Sequence, residues 1–188
     1  MTEREWVKSI CEDLEKELKI FNDNLRVNES KKLPYSSEVL EYKDDQPFRQ
    51  NYLKYETDFL VYEVLDECLW KPRVIIEAKI NSITTHDAIT YSQKAQTHKN
   101  VHPYLRYGIL IGNRKHHPLP GRLFRHGQHF DFMQSWKSYE SDNSEWLQLI
   151  EILKSEIEAS YALEEIIFNS RAKNRVKYTL LHRPLRLQ

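Results

Sequence analysis

The sequence predicts a mixed α/β fold in which one mixed sheet carries helices on both faces. Three observations lead there. Two β-prone stretches, Tyr55–Leu65 and Arg73–Ile80, follow each other across a short turn and so pair antiparallel. A helical stretch from Thr84 or Thr85 to about Lys99 then leads to Leu105–Gly112, an apolar run that suits a central strand buried on both faces. A strand–helix–strand connection of this kind crosses over right-handed, and helices on both faces of the sheet complete the layering.

Taken in order, Thr2-Glu-Arg-Glu5 is a capping box. Trp6, Ile10, Leu14, Leu18, Phe21 and Leu25 step by threes and fours behind it, which predicts an amphipathic helix over about residues 3–25. Asn28–Pro34 is a polar break, Tyr35–Tyr42 a short strand, and Lys43–Gln50 a loop. Asp66–Pro72 reverses the chain between the two main strands, with Pro72 just before the second begins. In the helix after it, Ala88, Ile89 and Ala95 face inward, and Pro103 follows its end. Arg122–Met133 reads as one more strand or a hairpin. Ser144 opens a long helix that ends near Ser170, with Trp146, Leu149, Ile150, Leu153, Ile157, Tyr161 and Ile167 inward. Tyr178–Leu181 is a possible final strand.

Composition narrows the class. A chain of 188 residues, 40% hydrophobic and 30% charged, predicts one globular domain with a sizeable core. Four glycines include no phosphate-binding loop of either common type. Cys11 and Cys68 have neither a pairing pattern nor metal-ligand spacing, no stretch approaches a membrane span, and the charged N-terminus is no signal peptide, so a cytoplasmic location is expected. The net charge is zero but unevenly spread. Residues 1–70 hold 10 basic and 17 acidic side chains, a balance of −7; residues 71–188 hold 18 and 11, a balance of +7. Arg114, Lys115, Arg122 and Arg125 form one acid-free stretch, and the C-terminal tail, with Lys173, Arg175 and Lys177, forms another. Such a half can bind a polyanion, or simply face water.

The chemistry concentrates in Arg73-Val-Ile-Ile-Glu77-Ala-Lys79-Ile80. Strand alternation puts Val74, Ile76, Ala78 and Ile80 on one face and Arg73, Ile75, Glu77 and Lys79 on the other. A carboxylate and an ammonium therefore emerge from the middle of an apolar strand, where charge needs a partner or a task. A salt bridge at a sheet edge is the plain reading. Asp58, in the preceding strand, offers another, because antiparallel pairing brings it beside Glu77. Two adjacent carboxylates repel, and a divalent cation with hard oxygen ligands, Mg²⁺ above all, relieves them. The carbonyl of Ala78 could join such a site.

Thr57-Asp58, eighteen residues, then Glu77-Ala78-Lys79 resembles the motif of the PD-(D/E)xK nuclease superfamily, with threonine where the name-giving proline would stand. The order of elements from about residue 3 to 112 resembles the restriction endonuclease-like αβββαβ core, and the two strands look like those of type I restriction subunits and related small deoxyribonucleases. The remainder, 113–188, would then be an added helix and a basic tail. The resemblance implies Asp58 and Glu77 as metal ligands, Mg²⁺ (or Mn²⁺ in its place) as cofactor, Lys79 as catalytic lysine, and DNA as partner. Some members add an acid from the first helix and a glutamine from the helix after the motif. Glu12, Glu15, Glu38 and Glu41 are candidates for the acid and Gln93 for the glutamine.

The implied activity is a Mg²⁺-dependent DNA endonuclease, of restriction type, acting as a homodimer if it cuts both strands. A repair, junction-resolving or mobile-element nuclease fits the same residues, and a nucleic-acid-binding module without cleavage is the alternative of another class. The basic stretch with its histidines, His116-His117 and His126-x₂-His129, would then contact phosphate. His98-x₃-His102 has the spacing of two metal ligands on a helix, but Pro103 ends the helix and no further cysteine or acid follows.

Overall fold

The computed structural model describes residues 1–115 and 119–168. His116 and His117, the tail cations Lys173, Arg175 and Lys177, and the possible strand Tyr178–Leu181 lie outside the described residues. The elements run α1 (Glu3–Phe21), β1 (Leu25–Glu29), β2 (Lys32–Lys43), β3 (Gln46–Glu56), β4 (Phe59–Val64), β5 (Trp70–Ile80), α2 (Thr85–Val101), β6 (Arg106–Gly112), α3 (Gly121–His126), β7 (Phe132–Ser135) and α4 (Asn143–Phe168).

Five strands form one mixed sheet in the order β1-β4-β5-β6-β7, while β2 and β3 make a separate two-stranded ribbon. The β1–β4 and β4–β5 pairs are antiparallel; β5–β6 and β6–β7 are parallel. The expected mixed sheet with flanking helices is present, and β5 is its central strand rather than an edge. Val74, Ile76 and Ala78 enter the core beneath α1 and α4, while Ile75 enters the second core beneath α2 and α3, as alternation requires. No described helix is long and apolar enough to cross a membrane.

Both capping boxes form: Thr2 with Glu5 ahead of α1, and Thr84 with Asp87 ahead of α2. Trp6 is fully buried, a contribution on the order of 5 kcal/mol from its area alone. Its indole ring lies where a Cβ on Gly112 would stand, 2.4 Å away, so only glycine lets α1 approach the end of β6.

Several element boundaries differ from expectation. α1 stops at Phe21, and Leu25, the last residue of the helical pattern, begins β1. The expected helix takes in Leu25 and the expected polar break takes in Asn28 and Glu29, so the short alternation Leu25-Arg26-Val27-Asn28 between them does not stand out. The expected Tyr55–Leu65 strand is two strands: Tyr55 and Glu56 close the ribbon, and the chain passes through Thr57 and Asp58 into another sheet. The expected Lys43–Gln50 loop is a turn at Asp44 and Asp45, with β3 already begun at Gln46; Asp44 takes the left-handed conformation (φ 52°) that aspartate tolerates in tight hairpins. β5 starts at Trp70, so Pro72 lies inside it, next to a bulge in which Arg73 is the extra residue opposite Val61 and Tyr62 of β4. Arg122–Met133 is neither strand nor hairpin; it holds α3 and the first residues of β7. Ile89 points outward, 50% exposed, although Ala88 and Ala95 are buried as expected.

Candidate functional site

β4 and β5 pair in the register Phe59↔Ile76, so Asp58, one residue earlier, stands opposite Glu77. Residues directly opposite project to the same face, and the two carboxyl groups are hydrogen-bonded to each other. Asp58 Oδ2 also accepts the backbone N–H of Ala78 at 2.7 Å. In a ladder the N–H and C=O of one residue point to the same side, so the Ala78 carbonyl turns toward the edge that β4 vacates at Phe59.

Glu77 is 2% exposed. Burial, then the charge of Asp58, raises its carboxyl to about 7, although Lys94 and Tyr107 pull it down. The Tyr107 hydroxyl donates to Glu77 Oε1 through a very short contact, and Lys94 Nζ lies 3.6 Å from Oε2. Burial raises Asp58 too, against the opposing pull of the Ala78 N–H and of Lys94. One proton shared between two carboxyl groups is the electrostatic consequence of placing them together in a poorly hydrated place.

Lys79, one strand step on, reaches Glu3 Oε2 at 3.4 Å and stands against the Tyr91 ring. Burial pulls its ammonium down, but Tyr91, Glu3 and Asp87 outweigh burial and hold it well above the usual lysine range. Glu3 is raised, first by burial and then by Asp58, with Lys79 opposing. The cluster is thus three acids and two lysines at the carboxyl end of β5, with Lys79 and Glu3 at its open side.

The acid that α1 brings is therefore Glu3. None of the four expected candidates is near: Glu15 holds Lys19 and the Val27 N–H, Glu12 faces solvent, and Glu38 and Glu41 sit on the ribbon with Asn51 and Arg49. Glu3 gave no signal beyond a first-turn acid. Gln93 is not brought to the cluster either. It is exposed and lines a shallow pocket between α2 and α3 with Ile89, Ser92, Arg125, His126 and His129. At 100° per residue Gln93 stands about 200° from Tyr91, and it is Tyr91 and Lys94 of α2 that face β5. The spacing of the buried Ala88 and Ala95 was the available signal for that face.

Of the expected DNA contacts, Arg114 and Lys115 leave β6 at the same end of the sheet as Lys79, since β5 and β6 are parallel with Lys79 beside Ile111. Arg122 donates to the Ile83 carbonyl at 3.1 Å, tying α3 to that end. Arg125 lies on the far side of α2 in the shallow pocket. His98 is no metal ligand in position. Its ring is buried between Tyr55 and Tyr107, with Nε2 3.3 Å from the Leu33 carbonyl, and burial lowers it to about 4.

Among the described residues no group of three or more His, Cys, Asp or Glu is disposed to hold a metal. What the site does offer is two hard carboxylates and a backbone carbonyl, a donor set of the kind that suits Mg²⁺ when water and a phosphate fill the remaining positions. Burial raises both carboxyls and Asp58 raises Glu77 further, a charge imbalance that such a cation would offset. Comparison with protein-family models and with curated proteins finds no match for this chain, so a class for it rests on the sheet and this cluster.

Proposed function

We propose that the protein is a Mg²⁺-dependent DNA endonuclease of the PD-(D/E)xK type, with a restriction endonuclease-like core. The observation that carries the reading is the opposition of Asp58 and Glu77 across β4 and β5, with Lys79 next on the strand. Setting the ribbon aside, the order α1, β1, β4, β5, α2, β6 supports it. The three neighbouring strands are β1, β4 and β5, whereas the sequence suggested that the segment now in β2 was the first of them.

In this reading Asp58, Glu77 and the Ala78 carbonyl would hold the ion. When bound, the ion polarises the phosphodiester and lowers the pKa of an attacking water. Holding the ion would require both carboxyls to be deprotonated, so Mg²⁺ binding would compete with the proton that burial and Asp58 keep on Glu77. The Lys79 ammonium, held charged, donates a hydrogen bond to the developing negative charge on phosphorus-bound oxygen. Lys94, against Glu77 and the Tyr91 ring, keeps the carboxylates from repelling the approaching phosphate. Arg114 and Lys115, which follow β6 at the same end of the sheet as Lys79, would contact the phosphate backbone.

Plasmid cleavage with Mg²⁺ or Mn²⁺ tests the assignment, using wild type, Asp58→Ala and Lys79→Ala. Cleavage that survives both substitutions sinks it. A panel of linear, branched and single-stranded DNAs separates restriction from repair or junction resolution. One observation favours a second reading, a nucleic-acid-binding module without cleavage: Lys94 and Lys79 already pair with Glu77 and Glu3. Titration calorimetry with Mg²⁺ decides, since that module binds no ion with or without DNA.

A further inference from the structure

The ribbon of β2 and β3 has no cover beyond its root. There, Leu33 is buried, Tyr35 and Tyr55 stack with ring centroids 3.7 Å apart, and both rings meet His98 of α2. Past that anchor every residue from Ser37 to Tyr52 is exposed. The exposed length carries Val39, Leu40, Tyr42, Phe48 and Tyr52, the last three 66, 67 and 53% open to solvent. A lone two-stranded hairpin is marginal in water, and a soluble surface seldom gathers so much apolar area on so few residues unless something covers it.

We propose that a second copy of this chain covers it, the two ribbons packing antiparallel about a two-fold axis. The edges of the ribbon are poorly suited to joining: Pro34 and Pro47 lack donors, and register shifts interrupt β2 near Pro34, Val39 and Glu41. That leaves a face. Glu38 with Asn51 and Glu41 with Arg49 occupy one face, where Glu41 is paired with the Arg49 guanidinium and Glu38 accepts from the Asn51 amide. Ser37, Val39, Gln50, Tyr52 and Lys54 share the other, which bears no carboxylate in that span and whose Ser37, Gln50 and Tyr52 already hydrogen-bond one another.

Charge along the length sets the direction. The tip has Asp44 and Asp45 against Lys43; the root has Lys32 and Lys54 against Glu56. Antiparallel packing lays each acidic tip on the other copy's basic root, whereas parallel packing would oppose like charges. The same acidic tip argues against insertion into a DNA groove, where phosphates flank the entrance. A ribbon about 11 residues long and two strands wide presents roughly 350 Å² to a partner, under half the ~800 Å² per side of a standard interface. The dimer is therefore concentration-dependent and exchanges quickly.

The inference rests on the ribbon alone and not on the nuclease reading, so the two fail separately. Sedimentation velocity of the full chain over a range of concentrations is the test, with circular dichroism melts to show that each variant folds. Wild type shifts from monomer to dimer as concentration rises. Asp44→Lys with Asp45→Lys weakens association at least tenfold, and Lys32→Glu with Lys54→Glu does the same. An equimolar mixture of the two variants dimerises again, because each tip then meets an opposite root. Tyr52→Ser weakens association in either charge background. A chain monomeric at every concentration overturns the proposal, as does a dimer indifferent to both charge sets. A monomer whose binding to duplex DNA falls with Tyr52→Ser also overturns it, and assigns the ribbon to nucleic acid instead.

Discussion

The two ends of β5 carry buried charge in opposite ways. At the start, Arg73 is almost wholly enclosed, yet its guanidinium meets Glu63 and Glu164 at 2.6 Å each and lies over the Tyr161 ring. Burial alone would raise Glu164, but Lys71 and Arg73 overcome it and hold that carboxyl below its usual range. Every charge there has its opposite. Four residues later, Glu77 faces another carboxyl group and its proton is retained to about neutral pH. A cluster that serves only to pin α4 to the sheet is complete as it stands. One that leaves a carboxyl half-titrated in the ground state is a candidate functional site.

That contrast can be broken by experiment. On the proposed nuclease reading the largest effect is on catalysis: Asp58→Asn lowers cleavage by at least about 10³-fold, some 4 kcal/mol of barrier, while thermal stability stays level or rises because the repelling partner is gone. A melt that drops alongside activity would place this end of β5 in the structural category. Next comes Arg73→Ala, which costs about 3–5 kcal/mol by stranding Glu63 and Glu164. Denaturant titration measures it, and cleavage per folded molecule stays close to wild type.

A third effect depends on pH. The native carboxyl of Glu77 keeps its proton to about 7, while an unfolded one releases it near 4.5. Between those values the folded state binds more protons, so stability falls as pH rises, by up to about 3 kcal/mol over the window, and levels off above it. Glu77→Gln flattens that slope, as melts from pH 4 to 8 would show. If the proposed Mg²⁺ site is real, Mg²⁺ competes with the proton and stabilises wild type more at pH 8 than at pH 5. The smallest effect is that of Lys94→Met. Removing the ammonium beside Glu77 raises that carboxyl further and moves the rising limb of the pH–rate profile to higher pH, with little change in the plateau.

The residues of β5 were legible because alternation in a strand is unforgiving. Val74, Ile76 and Ala78 face one core and Ile75 the other, as expected. But Arg73, expected beside Glu77, is the extra residue of a bulge and pairs with Glu164 of α4, and the place of β5 at the centre of the sheet was not foreseen. Asp58 was legible as a partner, although its element was misjudged: Tyr55 and Glu56 have the same β-propensity as Phe59 and Leu60, and propensity does not reveal which sheet a strand joins. The ribbon was half seen, since a tight Asp-Asp turn with charged neighbours reads like a loop when nothing marks the strands as paired. Glu3, Tyr91 and Lys94 were not singled out because their approach to β5 depends on how two helices dock, which is set by packing across the whole molecule rather than by local pattern.

The clearance above Gly112 matters beyond packing. Trp6 sits on that glycine, and Glu3 lies almost one helical turn before Trp6 on the same rigid segment. The absent methyl group at residue 112 therefore acts as a spacer gauge for a carboxylate elsewhere. An alanine there lifts the start of α1 as a lever, draws Glu3 away from Lys79, and alters the charge balance around Asp58 without touching any residue of the cluster itself.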